Sequence, residues 1–283
     1  NSSVLTIENN YFCAPIDLGE SVLHNYVFYT IQGELIENGR IVNNTFQELE
    51  LTYDLRISYS NDLKIENNFF NHSGSTAKTL YIFTCYDVHL AGNKQTRGNY
   101  GSTSHYGSGF CFSNCSLVVF KKNEICGFGG IGVSFIDCND SNINYNVFAN
   151  NLYFGLFLNK KCYRNTIHHN KFDHNNHNGY RILELDETQT ELTEIIYLKQ
   201  AGDNGHGNIW YDKKNKEGNY WSDLEENTLD YYIDGKAKSI DPYPLDENLK
   251  RIRGLKGILN ILLLVSLVIG IASITVISRI RNK

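Results

Sequence analysis

The chain has 283 residues, of which 41% are apolar and 20% charged, and its formal net charge is −5. That apolar content supports a packed core and excludes a disordered chain. The acidic balance excludes the basic surface with which proteins hold nucleic acid, so no nucleic-acid partner is expected. Seven cysteines in so long a chain do not form a small disulfide framework, and with no methionine the sequence is not a Met-rich copper carrier. It is expected to be a processed chain or a fragment, and no signal peptide is visible at its start.

Asparagine is the compositional outlier, with 35 residues, about one in eight. These asparagines sit in a repeated phrase: aliphatic, two residues, Asn, one residue, apolar. It reads Ile7-Glu-Asn-Asn10-Tyr-Phe12, Ile41-Val-Asn-Asn44-Thr-Phe46 and Ile65-Glu-Asn-Asn68-Phe-Phe70. A weaker copy, Leu90-Ala-Gly-Asn93, has Gln95 at the apolar place. Then come Phe120-Lys-Lys-Asn123-Glu-Ile125, Ile143-Asn-Tyr-Asn146-Val-Phe148 and Ile167-His-His-Asn170-Lys-Phe172. The anchor asparagines are 34, 24, 25, 30, 23 and 24 residues apart, and Gly-Asn208-Ile-Trp210 reads as an eighth, degenerate copy.

Two further columns keep the register. Ser60, Cys85, Cys115, Cys138 and Cys162 each stand eight residues before an anchor, and Gly109, Gly132, Gly155 and Gly179 recur at the same period. About two dozen residues suit one coil of a parallel β-helix, with three short strands and their turns, each coil stacked about 4.8 Å above the last. Leucine-rich repeats need regularly placed leucines that are absent, and paired-helix repeats need a 3.6-residue period. The aliphatic column predicts a continuous core. The anchor Asn predicts a turn residue tolerant of left-handed geometry, with its amide bonded to the Asn above and below. Off-period spacings predict loops near Gly19–Gly33, Thr96–His105 and Glu184–Asp203.

Four sets of side chains are candidates for chemistry. His168, His169, His174 and His177 fall in one coil, and imidazole is the commonest ligand for copper or zinc. Their columns elsewhere hold residues such as Glu66, Lys122 and Tyr145, as at a solvated turn. Asp62, Asp87 and Asp140 share a column six before the anchor, a place for Ca²⁺ ligands, for acid–base carboxylates, or for turn residues. The cysteine column reads as buried thiols, whose parallel side chains suit S–S torsion poorly. Tyr145, Tyr153, Tyr163 and Tyr180 offer rings for a sugar-binding face or for shielding the coil surface. Glycosylation sequons at Asn1, Asn43, Asn71, Asn114 and Asn139 fit an exported protein. No lyase-type Asp/Arg/Lys cluster is present, and no catalytic, cofactor-binding or metal-ligating residue is assigned.

Past the repeats, Asn208-Ile-Trp210-Tyr-Asp212, Gly218-Asn-Tyr-Trp-Ser-Asp223 and Asp241-Pro-Tyr243 follow. With the repeats, they resemble NosD-type right-handed β-helix repeat proteins, common among archaeal surface and membrane-anchored proteins, over about residues 1–244. The resemblance implies an aromatic cap on the last coil and a role in carbohydrate binding or hydrolysis. For a subset of that family it implies copper insertion into a reductase. Here Leu224 and Glu225-Glu-Asn replace the Tyr and Asp/Gly-rich stretch that relatives carry, of which only Asp234-Gly235 is left.

From Ile258 to Ile277 there is no charge, and fourteen of the twenty residues are Leu, Ile or Val. Such residues contribute about −6 kcal/mol to membrane insertion before polar offsets, and the stretch is as long as a hydrocarbon core is thick. Lys250, Arg251, Arg253 and Lys256 precede it and Arg279, Arg281 and Lys283 follow it, so charge does not set its orientation. The expected organisation is an all-β, right-handed parallel β-helix of about seven or eight coils over 1–210, with a cap at 211–249. A basic juxtamembrane stretch at 250–257, a transmembrane α-helix at 258–277 and a basic tail at 278–283 complete it. The expected protein is a single-pass membrane protein, its large N-terminal domain extracytoplasmic and its short tail cytoplasmic. It is non-catalytic, serving surface display, adhesion or carbohydrate binding, with the lipid bilayer as partner and a polysaccharide or surface glycan as ligand. A polysaccharide lyase, hydrolase or epimerase and a copper-handling accessory protein are the alternatives.

Overall fold

The period-two runs inside each repeat become strands because alternate residues find one apolar interior. Their inward column runs, in register, through Ile7, Ile41, Ile65, Leu90, Phe120, Ile143 and Ile167. A computed structural model describes residues 5–13, 29–47, 53–71, 78–96, 108–176, 180–185, 192–197, 199–226 and 228–245. The chain divides into two units, Asn1–Pro244 and Leu245–Lys283. The expected membrane span at 258–277 lies outside the described residues, among which no helix is long and apolar enough to cross a membrane.

The first unit is a stack of parallel coils, each contributing one strand to each of three sheets. The first sheet takes Thr6–Glu8, Glu37–Val42, Asn61–Glu66, Tyr86–Ala91, Ser116–Lys121, Asn142–Asn144 and Thr166–His168. The second takes the short strands after each anchor, from Tyr11–Cys13 to Lys171–Asp173, and closes with Tyr220–Trp221. The third takes Tyr29–Glu34, Tyr53–Ser58, Lys78–Phe83, Ser108–Ser113, Ile131–Ile136, Leu156–Leu158 and Ala201–Asp203. In each coil from Tyr11–Cys13 to Lys94–Thr96, the strand of the second sheet is followed in sequence by the strand of the third, with 14–28, 48–52, 72–77 and 97–107 outside the described residues. The stretch near Glu184–Asp203 carries an antiparallel hairpin, Tyr180–Leu185 with Leu192–Tyr197.

The core is aromatic along the second sheet. Phe12, Phe46 and Phe70 stack at 5.0 and 4.7 Å, and Phe148, Phe172 and Trp221 at 5.0 and 4.3 Å. Gln95 interrupts this column. It is fully buried, and neither of its amide atoms has a hydrogen-bond partner among the described residues.

The anchor asparagines form the expected ladder with a division of labour that the sequence does not separate. The left-handed turn is made one residue earlier, at Asn9, Asn43, Asn67, Gly92, Lys122, Tyr145 and His169, where φ is 54–66°. The anchor itself is buried and hydrogen-bonded. Asn68 shows the pattern: its N–H and Nδ2 both donate to Asn93 Oδ1 at 3.0 Å, Nδ2 also donates to Ile41 O at 2.8 Å, and its Oδ1 accepts the same pair from Asn44. Every rung donates toward the C-terminal end of the stack.

A one-way ladder ends on donors that need an acceptor, and a carboxylate is an acceptor with nothing to donate. The main ladder passes from Asn170 to Asn219, not to Asn208, and Asn219 donates from N and Nδ2 to Asp241 Oδ2 at 2.7 and 3.3 Å. Asn208 belongs to a second ladder, Ser141–Asn165–Asn208, which ends with Asn208 Nδ2 on Asp203 Oδ1 at 3.0 Å. A third, Asn151–Asn175–Gln200, ends with Gln200 Nε2 on Asp223 Oδ1 at 2.6 Å. The eighth copy is therefore Gly218-Asn219-Tyr-Trp221, and the cap motifs carry two of the three terminating carboxylates, Asp223 and Asp241. The same residues seal the core: Trp221 lies against Phe172, with Tyr231 stacked on its other side at 3.9 Å. Trp210 and Trp221 donate their indole N–H to Asp203 and Asp241.

Candidate functional site

Side chains on the outer faces are where a stack of identical layers can differ from coil to coil. Several surface charges are paired across adjacent layers. Arg40 meets Glu8 at 3.1 Å, Lys94 meets Glu124 at 2.9 Å, Lys161 meets Asp137 at 3.0 Å and Arg164 meets Asp140 at 2.6 Å. Hydrogen bonds from Asn159 and Lys161 hold the Asp137 carboxyl below its ordinary range, and Arg164 does the same for Asp140.

The third sheet differs between the second and fourth coils. Alternate outward positions of Lys78–Phe83 present Tyr81 and Phe83, whose rings stack at 5.1 Å and 22°. Register places Arg56 beside Tyr81 and Ser58 beside Phe83 in the preceding layer. The next residue, Tyr59, has φ of 50° and is 55% exposed. That turn swings its ring edge-on to Phe83 at 5.5 Å. The Arg56 guanidinium lies 4.5 Å from the Phe83 centroid, and the Lys78 ammonium 4.4 Å from that of Tyr81. Glu34, in the layer before, reaches Arg56 at 3.7 Å. The result is a platform of three rings with two cations, open on one side of a flat parallel sheet. Chemically it offers ring faces for the C–H face of a sugar and cations for an anionic substituent.

The sequence-derived candidates are dispersed. Tyr145 stacks on His169 at 4.8 Å, Tyr163 stacks on His206 at 5.4 Å, and Tyr153 packs beside Ile131 and Phe154. The side chain of Tyr180 lies outside the described residues. Asp62, Asp87 and Asp140 share one turn column with φ of 47–53°, the turn-residue reading, and Asp87 contacts His89 at 3.1 Å. Cys85, Cys115, Cys138 and Cys162 are free and buried, and their thiols point to backbone carbonyls such as Phe83 O and Ser113 O. A hydrogen bond with Cys138 pushes Cys115 up to about 12, and burial pushes Cys162 up to about 11. Of the histidines, His168 and His169 meet at 2.6 Å between their Nδ1 atoms. His174 turns away to Asp173, and His177 is outside the described residues.

A family model described as a right-handed beta helix region matches residues 1–193. The chain belongs to the right-handed β-helix family. A search of the curated proteins found no match. In a right-handed β-helix, successive coils repeat the same faces, so a platform arises wherever neighbouring layers carry compatible side chains. The signal for this one was available in the strand alternation of Tyr81 and Phe83. Its partner layer lies one ordinary period earlier, but the left-handed turn that brings the Tyr59 ring to Phe83 shows only in the structure. Among the described residues, the outer face of the third sheet presents Glu34 as its exposed carboxylate. Its contact with Arg56 is shorter than the roughly 5–9 Å separations at which two groups flank a glycosidic bond.

Proposed function

We propose that this β-helix is a non-catalytic, NosD-type rod whose third-sheet platform binds an acidic polysaccharide. The exposed Tyr59 ring stacks on a pyranose face, supported by the Tyr81–Phe83 pair, and Arg56 and Lys78 pair with uronate or other anionic groups along the chain. The single observation that carries the reading is the Tyr59–Tyr81–Phe83 cluster with both cations set against its rings. The apolar stretch 258–277 supports attachment to a lipid bilayer, and the sequons support an extracytoplasmic rod displayed at the surface for adhesion or glycan capture.

The test is binding of the full-length chain to polygalacturonate and to dextran, a neutral glucan. The expected result is retention by the acidic polymer that weakens with salt. Tyr81→Ala/Phe83→Ala lowers affinity at least tenfold, and Arg56→Ala/Lys78→Ala removes the salt dependence. Binding unchanged in the Tyr81→Ala/Phe83→Ala chain, or none to either polymer, counts against the proposal. Alkaline carbonate extraction of membranes, combined with protease protection of intact cells, tests the attachment and the side on which the rod stands.

A further inference from the structure

Among the described residues, one place apart from the platform brings metal-binding side chains together from segments distant in sequence. His168 and His169 immediately precede Asn170, a rung of the main ladder whose amide also donates to His168 O, so their backbone is fixed by the stack. The cap returns over them. His169 N–H donates to Gly218 O at 2.6 Å, and residues 212 and 217 form an antiparallel bridge. That bridge sets the Asp212 carboxylate at the mouth of the imidazole pair. One ligand atom each from His168, His169 and Asp212 lies within 4.8 Å of the others, and all three residues are half-buried.

The hydrogen bonds select the tautomer. His169 Nε2 faces Glu217 Oε2 at 2.9 Å, so the neutral ring carries its proton there and turns the Nδ1 lone pair inward. That lone pair meets His168 Nδ1 at 2.6 Å, and a single proton lies between the two nitrogens. The Tyr145 ring stacks on His169 at 4.8 Å and stands edge-on to His168, which holds both imidazoles in place. Asp212 is also pre-set: Oδ1 accepts from Lys214 N at 2.8 Å and Oδ2 from Asn215 Nδ2 at 2.7 Å. A carboxylate that orients a histidine whose other nitrogen faces an ion is the usual outer shell of a metal centre.

We propose that His168 Nδ1, His169 Nδ1 and an Asp212 oxygen bind one divalent ion of the zinc class, with Glu217 as the positioning residue behind His169. Two nitrogens at about 2.0–2.1 Å from a tetrahedral ion stand about 3.3 Å apart, so binding opens the pair by a small ring rotation. The ion takes the place of the shared proton, His168 changes tautomer to carry its N–H at Nε2 with no net proton loss, and water takes the fourth position. Because His168 and His169 come from the seventh coil and Asp212 from the cap, the ion ties the last coil to the cap that closes it. This site shares no residue with the third-sheet platform and is independent of the glycan reading.

The test is titration of the full-length chain with Co²⁺ alone, read by its visible d–d bands, followed by displacement with Zn²⁺. The expected stoichiometry is one ion per chain, with no net proton release from the neutral imidazoles and affinity falling as they protonate. His168→Ala/His169→Ala abolishes the bands, and Asp212→Asn, in an exposed turn, lowers affinity at least tenfold. Glu217→Gln lowers it roughly 10–100-fold while keeping the band positions. His174→Ala, outside the site, leaves the titration unchanged. Absence of bands in the parent chain, parental affinity in the His168→Ala/His169→Ala chain, or equal loss in His174→Ala would overturn the proposal.

Discussion

The doublet Asn67-Asn68 offers the sharpest test of how the stack is held, because the same substitution at adjacent asparagines should have very different costs. Asn68 is 1% exposed, and truncating it to Ala removes four hydrogen bonds. Three groups lose their partner in the interior: the Asn44 N–H, one hydrogen of the Asn44 amide and the Ile41 carbonyl. At about 1–3 kcal/mol for each buried group left unpaired, and with partial relaxation, Asn68→Ala should cost about 3–5 kcal/mol. Asn67 is exposed, with φ of 54° and its N–H on Ala91 O at 2.9 Å. Asn67→Ala keeps that bond and adds only the left-handed strain of a β-carbon, about 1 kcal/mol, which Asn67→Gly relieves. Urea unfolding of the four chains, compared at common m-value, measures the difference. Equal losses for Asn67→Ala and Asn68→Ala would show that the amide ladder does not bear the stability assigned to it.

Other outcomes follow from buried groups. Burial raises the Asp241 carboxyl from 3.8 to about 6. The folded chain therefore holds this proton more tightly, and the contribution of this group to stability, full below pH 4, falls as pH rises to 6, by about 3 kcal/mol at roughly 1.36 kcal/mol per pH unit. Asp137, Asp140, Asp173 and Asp212 are shifted the opposite way, so the measurement is the difference in pH profile between the parent and Asp241→Asn. Identical profiles would refute the assignment. Gln95→Leu should raise stability by about 1–3 kcal/mol in thermal or urea unfolding, since it returns an apolar side chain to the Phe70–Ile125 column and removes an unpaired amide. A loss would reveal a partner for that amide. Maleimide labelling at pH 8 should spare Cys85, Cys115, Cys138 and Cys162 in the folded chain and reach all of them in denaturant. Rapid native labelling of the four would contradict their burial.

The stack was legible in the sequence because its layers are in register: a column that always meets itself must repeat its residue type, as the aliphatic column and the anchor Asn do. Within Asn-Asn doublets the composition is ambiguous, since both a left-handed turn and a buried amide favour Asn. Only the coils with Gly92, Lys122, Tyr145 and His169 before the anchor separate the two roles. The eighth rung was misplaced at Asn208 because that residue also heads a ladder, one column away, and the insertion 211–217 carries the true rung to Asn219. The platform and the imidazole–carboxylate cluster were not legible. Tyr59 reaches Phe83 through a left-handed turn that strand alternation does not show, and Asp212 reaches His168 and His169 only after the cap folds back. Neither column repeats, because binding needs the layers to differ where packing needs them to agree.

Spin labels on one outward column of the first sheet test the stacking most directly. Register runs Arg40, Lys64, His89, Val119, Asn142, Thr166, one residue per layer. With one label at residue 40 and the second at 119, 142 or 166, pulsed dipolar spectroscopy should give backbone separations near 14, 19 and 24 Å, rising by about 4.8 Å per layer. Separations that do not grow by a constant step from layer to layer would contradict the coil assignment on which the ladders, the platform and the cap all depend.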